Sequence, residues 1–290
     1  MRIYFVTSEY VYEHTGIPRD GGLAQYLSKI TVELVRRGND VSVVCIGSEK
    51  STRTEYCGMK VFFVPPIVKA PWWDSLLCRF MPKKRRIIRR MTDVHREISR
   101  LIGKEHSRCP IDIIQYASFM AMGRLPEKDI PNCVRISSYA KLWQRGYGAA
   151  NPYEQEAETD QFKRAKFLYG PSRIVAEAIS ADVALRRPIE IIETPFVPYA
   201  GEENEDAFRE LEPLLGGGEY LLFFGTIGQL KGSQEIAGSI REILSRHPSL
   251  HLVLVGKETA LPDTANALKG DPSPLGSEST FNALAVLRYR

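Results

Sequence analysis

The 290-residue chain has no run approaching the roughly 18 uninterrupted apolar residues that a membrane-spanning helix needs. Its opening stretch, IYFVTS (3–8), is only strand-length and lacks a small-residue cleavage site, so the sequence predicts no secretory leader. Five cysteines (Cys45, Cys57, Cys78, Cys109, Cys133) include no C-x-x-C pair, which argues against a zinc finger or a disulfide framework and predicts free thiols in a reducing compartment. No Asp-x-Asp metal motif occurs. The net charge is only +4, and the one strongly basic stretch lacks interleaved stacking aromatics, so nucleic acid is not expected as a partner. Nor is there a G-x-G-x-x-G turn, or an acidic residue ending the second strand-like run, DVSVVCIG (40–47). A nicotinamide-dependent oxidoreductase would need both.

What is present is the composition of a folded α/β protein, 43% apolar and 26% charged. Short, continuously apolar runs at 3–8, 40–47, 60–65, 112–118, 133–138, 165–172 and 189–195 predict strands buried on both faces, as in a parallel sheet. Leu23, Leu27, Ile30 and Leu34 recur on one face of a helix, with Asp20 as the expected cap, Arg36 and Arg37 in the last turn and Gly38 as its terminator. Residues 201–218 form an acidic connector ending in three glycines. The pattern then restarts as EYLLFFGTIG (219–228), a helix, and HLVLVGK (251–257). Two Rossmann-like units are expected, 1–200 and 219–290, with a nucleotide-binding cleft between them.

Each unit places glycine between its first strand and first helix. In GIPRDGGLAQYL the pair Gly21 and Gly22 either makes a tight turn or lets an anion approach the free N–H groups of the helix. Gly225, Lys231 and Gly232 repeat the theme in the second unit, with a cation added. His14 lies in the first loop, where it is a candidate substrate contact.

The segments DGGLAQYLSKITVELVRRGNDVSVV, PIDIIQYAS, AKFLYGPSRIVAEAI and LLFFGTIGQLKGSQEIAGSI stand in order at suitable spacing. Together they resemble the family-4 glycosyltransferases of the GT-B fold, a group that includes bacterial cell-surface and polysaccharide sugar transferases. The resemblance runs from residue 1 to about 257 and implies sugar transfer from a nucleotide-diphosphate donor to a carbohydrate or lipid-linked acceptor, with retention of anomeric configuration. It further implies that Gly21 and Gly22 lie near the donor phosphate and acceptor, and that Lys231 neutralises the departing phosphate between Gly225 and Gly232. No metal or other cofactor is expected, since amides and basic side chains stabilise that charge.

The chain departs from the family pattern in three places. Thr226 stands where many members carry a second cation, and Ser137 and Ser138 stand where many carry a histidine, so no catalytic residue is assigned. The Glu-x7-Glu element that completes the donor pocket is missing downstream, and the sequence predicts a donor domain cut short. The alternative expectation is therefore an inactive fragment or a binding module. Finally, nine Lys or Arg residues between Arg79 and Arg100, beside Trp72 and Trp73, form a basic amphipathic segment. It packs on the sheet, or it meets an anionic membrane surface at the cytoplasmic face.

Overall fold

Apolar strands separated by helices that are apolar on one side can bury everything only by layering helices over a parallel sheet, and the first unit does so. In this computed structural model the residues described are 1–10, 21–47, 51–66, 83–142, 152–185, 187–195, 209, 212–213, 217–225, 231–255 and 284–287. The chain divides into two units, Met1–Val197 and Pro198–Arg290.

In the first unit the elements run β1 (Arg2–Thr7), α1 (Gly22–Arg36), β2 (Asp40–Ile46), β3 (Thr52–Tyr56), β4 (Met59–Val64), α2 (Lys83–Arg108) and β5 (Ile113–Ala117), then β6 (Asn132–Arg135), α3 (Pro152–Arg164), β7 (Phe167–Gly170), α4 (Arg173–Asp182) and β8 (Glu190–Ile191). The sheet order is β3-β4-β2-β1-β5-β6-β7-β8. All its neighbouring strands are parallel except β3 and β4.

Alternate side chains of these strands enter two cores. Phe5, Val41, Val43, Val61 and Phe63 pack with Leu27 of α1 on one face. Tyr4, Val6, Val44, Ile114, Tyr116, Val134 and Leu168 fill the other, under Val94, Ile98 and Ile102 of α2, Phe162 of α3 and Ile179 of α4. The central strands β1, β2 and β4 are thus buried on both faces. The edge strands β3 and β8 are largely exposed, so the run at 189–195 yields only a two-residue edge strand and not the doubly buried one expected.

Two local outcomes differ from expectation. The N-cap of α1 is Gly21, where the sequence reading expected Asp20, and Asp20 itself lies outside the described residues. The helix C-terminus follows the prediction, with Gly38 left-handed at φ 81° and its N–H donating to the Val35 carbonyl at 2.8 Å. The strand β3 was not anticipated. Its polar sequence TRTEY suits a half-exposed edge, and Cys57 (φ 46°) with Gly58 (φ 77°) makes a two-residue turn of the hairpin-forming type into β4.

The basic segment is described from Lys83 onward. There the apolar side of α2 is spent on the sheet through Val94, Ile98 and Ile102, while Arg96 and Arg100 are exposed and pair with Asp93 and Glu97. Trp72, Trp73 and Arg79 lie outside the described residues.

The second unit contains β9 (Tyr220–Phe224), α5 (Ser233–Arg246), β10 (His251–Val255) and β11 (Leu284–Leu287), with sheet order β11-β10-β9. The parallel pair β9–β10 is crossed over by α5, whose Ile236, Ile240 and Leu244 cover Phe223, Leu252 and Leu254. The opposite face of β9 presents Tyr220, Leu222 and Phe224 to solvent. Most of the connector at 201–218 lies outside the described residues.

Candidate functional site

An open α/β sheet binds ligands beyond the carboxyl ends of its strands, where the strand order reverses. Here the reversal falls between β1 and β5, with α1 on one face and α2 on the other. The residues that matter are therefore Thr7–Tyr10, the start of α1, and the segments that follow β5, β6 and β7.

After β1 the chain turns at Thr7, whose Oγ1 donates to the Glu9 carbonyl at 2.9 Å. Tyr10 is buried behind α1, with its hydroxyl 2.6 Å from Thr31 Oγ1, and burial pushes its pKa up to about 12. Glu9 points at the helix start. Its carboxylate oxygens lie 2.6 and 2.8 Å from where a Cβ on Gly21 would stand. Gly21 has an ordinary extended backbone (φ −77°), so what a Cβ would disturb there is the Glu9 carboxylate and not a turn. Gly22 is exposed, with nothing within 4 Å of a Cβ position. His14 lies outside the described residues.

The ends of β5 and β6 are tied together through Ser118. Its Oγ accepts from the Ser137 N–H at 3.0 Å and lies 3.3 Å from Ser137 Oγ, and it donates to the Ser138 carbonyl at 3.3 Å. Gln161 of α3 holds the same turn, donating to the Ser118 carbonyl and accepting from the Gly123 N–H. Within this turn Met120 (φ 57°) and Ala121 (φ 52°) are both left-handed, a strained arrangement for residues carrying a Cβ. Phe119, beside them, is exposed.

Beneath the turn, buried His95 places Nε2 3.2 Å from the Met120 carbonyl, and its Nδ1 has no partner among the described residues. Desolvation lowers its pKa to about 4, so the ring is neutral. The histidine of this region thus supports the turn from inside the core. On α3 the buried Glu158 accepts from the Ala140 N–H at 2.9 Å, and desolvation raises its pKa to about 7.

Arg135, Tyr26 and Glu9 are the site residues that the sequence reading missed. Arg135 ends β6, is only 6% exposed, and its guanidinium carbon stands 3.6 Å from the centre of the Tyr26 ring. Its Nη2 donates to Thr194 Oγ1 at 3.2 Å. The available signal was a lone charge inside CVRISS, a run otherwise read as buried strand. Beside it, Ile136, Ser137, Gly170, Pro171 and Ser172 line a crevice of about 20 Å³. That is room for a water molecule, not for a sugar ring. Ser172 is the N-cap of α4, its hydroxyl accepting from the Val175 N–H.

In the second unit, Gly225 follows β9 with φ 123°, and Gly232 caps α5 with φ 76° and no side-chain cap. Both backbones are left-handed and favour glycine. Lys231 is exposed immediately before that cap, and Glu235 lies in the first turn of the helix. Thr226 lies outside the described residues. Among the described residues no group of three or more His, Cys, Asp or Glu side chains is placed to hold a metal ion, and no helix is long and apolar enough to cross a membrane.

No protein-family model matches the chain, nor does any curated protein sequence. Solved structures do. Sucrose-phosphate synthase from Thermosynechococcus elongatus superimposes with a TM-score of 0.59 at 12% identity, over 91% of this chain and 64% of that one. The catalytic domain of starch synthase IV from Arabidopsis thaliana, bound to ADP and acarbose, gives 0.60 at 12% identity over 93% and 71%. Anabaena HepE in complex with UDP and glucose gives 0.54 at 13% identity over 93% and 64%. The chain therefore spans about two thirds of the length of these proteins and shares their fold, the GT-B fold expected from its sequence.

Proposed function

We propose that this chain is a glycosyltransferase. It moves a sugar from a nucleotide-sugar donor to a carbohydrate or lipid-linked acceptor, with retention of configuration as the sequence resemblance implies, in cytoplasmic polysaccharide biosynthesis. The observation that carries the reading is the turn into α5. There a strand gives way to left-handed Gly225, exposed Lys231 and left-handed Gly232, and the helix N-terminus has no side-chain cap. Uncapped N–H groups beside a cation suit a diphosphate whose charge grows as it leaves. The fold supports the same reading, because relatives that share it were solved with UDP and glucose or with ADP and acarbose.

In this reading Gly21 and Gly22 lie near the donor phosphate and the acceptor, as the sequence resemblance implies, and no metal is needed. The basic side of residues 72–100 would meet an anionic membrane surface. Flotation with anionic vesicles at low salt tests that part, and absence of binding would remove it.

The decisive experiment is thermal unfolding with UDP, GDP, ADP and their sugar conjugates. A ligand at 100 times its dissociation constant adds roughly 2.7 kcal/mol to stability. A shift with one nucleotide is expected and would identify the base. No shift with any would overturn donor binding by this chain and leave a binding module for an acceptor or partner.

A further inference from the structure

Arg135 is a buried cation with no buried anion beside it among the described residues. Arginine stays charged in proteins and is almost never so fully buried unless paired. Yet among the described residues no carboxylate forms an ion pair with it. Its contacts are neutral, the Tyr26 ring at 3.6 Å and Thr194 Oγ1 at 3.2 Å. These two contacts fix the plane of the guanidinium and use one of its five N–H donors. Among the described residues no side-chain hydrogen bond uses its other nitrogens.

A second positive element stands on the same face of the sheet. Tyr26 follows Gly22 by one helical turn, about 6 Å of rise, so the ring that holds Arg135 springs from the turn next to the start of α1, where the N-cap is Gly21 and no side chain among the described residues caps the helix. The chain's own oxyanion, Glu9, already rests against Gly21, and the space at Gly22 is open.

The geometry points to an oxyanion subsite formed by Arg135 and the first turn of α1, which receives a phosphate group carried by the acceptor. The word acceptor rests on the glycosyl-transfer reading; the subsite itself does not. A guanidinium held flat by an aromatic ring presents a fork that matches two phosphate oxygens at once. Sealing such a charge under neutral groups alone is costly, and an incoming oxyanion offsets that cost.

The test is thermal unfolding of the 290-residue chain at constant ionic strength with inorganic phosphate, a hexose 6-phosphate, the free hexose and UDP. Phosphate and the hexose phosphate are expected to raise the midpoint saturably, and the free hexose is not. Arg135→Met should weaken phosphate binding by about tenfold or more while the UDP shift remains. If Arg135→Met does not fold, Arg135→Lys keeps the charge but loses the fork and should weaken binding several-fold. Absence of saturable phosphate binding, or unchanged affinity in both variants, would overturn the subsite. A UDP shift that falls with the Arg135 variants would assign the oxyanion to the donor and overturn the acceptor assignment. Failure of UDP alone would count against the transferase reading and leave the phosphate result standing.

Discussion

The Glu9 carboxylate rests against Gly21, closer than any side chain at that position would allow. The adjacent Gly22 meets nothing, so the two glycines do different work. Gly21→Ala should push the Glu9 carboxylate aside, a change confined to the far end of a side chain, and cost less than about 1 kcal/mol. Gly22→Ala should stabilise the chain by up to about 1 kcal/mol through helix propensity. It should also weaken UDP-sugar binding if a ligand must approach that backbone. Urea unfolding and nucleotide titration of both variants check this. A Gly22→Ala protein that binds as well as the wild type would make the second glycine a spacer only.

Lys231 is exposed and touches no core, so its removal has no packing consequence. Lys231→Ala should leave the unfolding midpoint unchanged and abolish the nucleotide-dependent rise in it. Lys231→Arg should restore part of that rise, because the charge survives. An Ala variant with an undiminished nucleotide shift would place the phosphate cation elsewhere.

The layers of the first unit were legible because its central strands β1, β2 and β4 are short, largely apolar runs, and such runs have few alternatives to a doubly covered sheet. Gly38 was legible as a helix terminator for a local reason, because it takes a left-handed backbone. What the sequence hid depends on distance in the chain. Arg135 and Tyr26 stand more than a hundred positions apart, and they meet because Val134 and Ile136 of the same segment turn to the α2 face and leave the Arg135 side chain on the α1 side. Glu9 looked like an ordinary polar residue ending a strand. His95 looked like one more polar residue of a basic helix, although it is buried beneath the Met120 turn.

That burial makes His95 an acid-sensitive support. Its folded pKa lies near 4, below the ordinary value of 6.5, so the unfolded chain binds the extra proton between those limits. The contribution is intact above pH 6.5 and is lost as pH falls toward 4, by roughly 3 kcal/mol at most. His95→Leu should lower stability at pH 8, because the bond to the Met120 carbonyl disappears, yet should flatten the acid arm of the stability curve. Chemical denaturation from pH 4 to 8 reads both effects, and an unchanged acid arm would refute the assignment.

Glu158 has the opposite sign. Its folded pKa of about 7 lies above the ordinary 4.5, with burial the larger cause and Glu154 adding to it. The folded state therefore holds a proton that the unfolded state releases, and stability falls as pH rises from 4.5 through 7. Above pH 7 the chain carries a buried carboxylate whose one hydrogen-bond donor among the described residues is the Ala140 N–H. Glu158→Gln keeps an acceptor for that N–H and removes the charge. The variant should match the wild type near pH 4.5 and exceed it by up to about 3 kcal/mol at pH 8. Equal stability at both pH values would mean that water or a nearby cation already compensates the charge. If the variant instead gains stability at pH 8 but loses turnover, the carboxylate is retained for chemistry at the carboxyl ends of the strands, since nothing in its packing rewards keeping it.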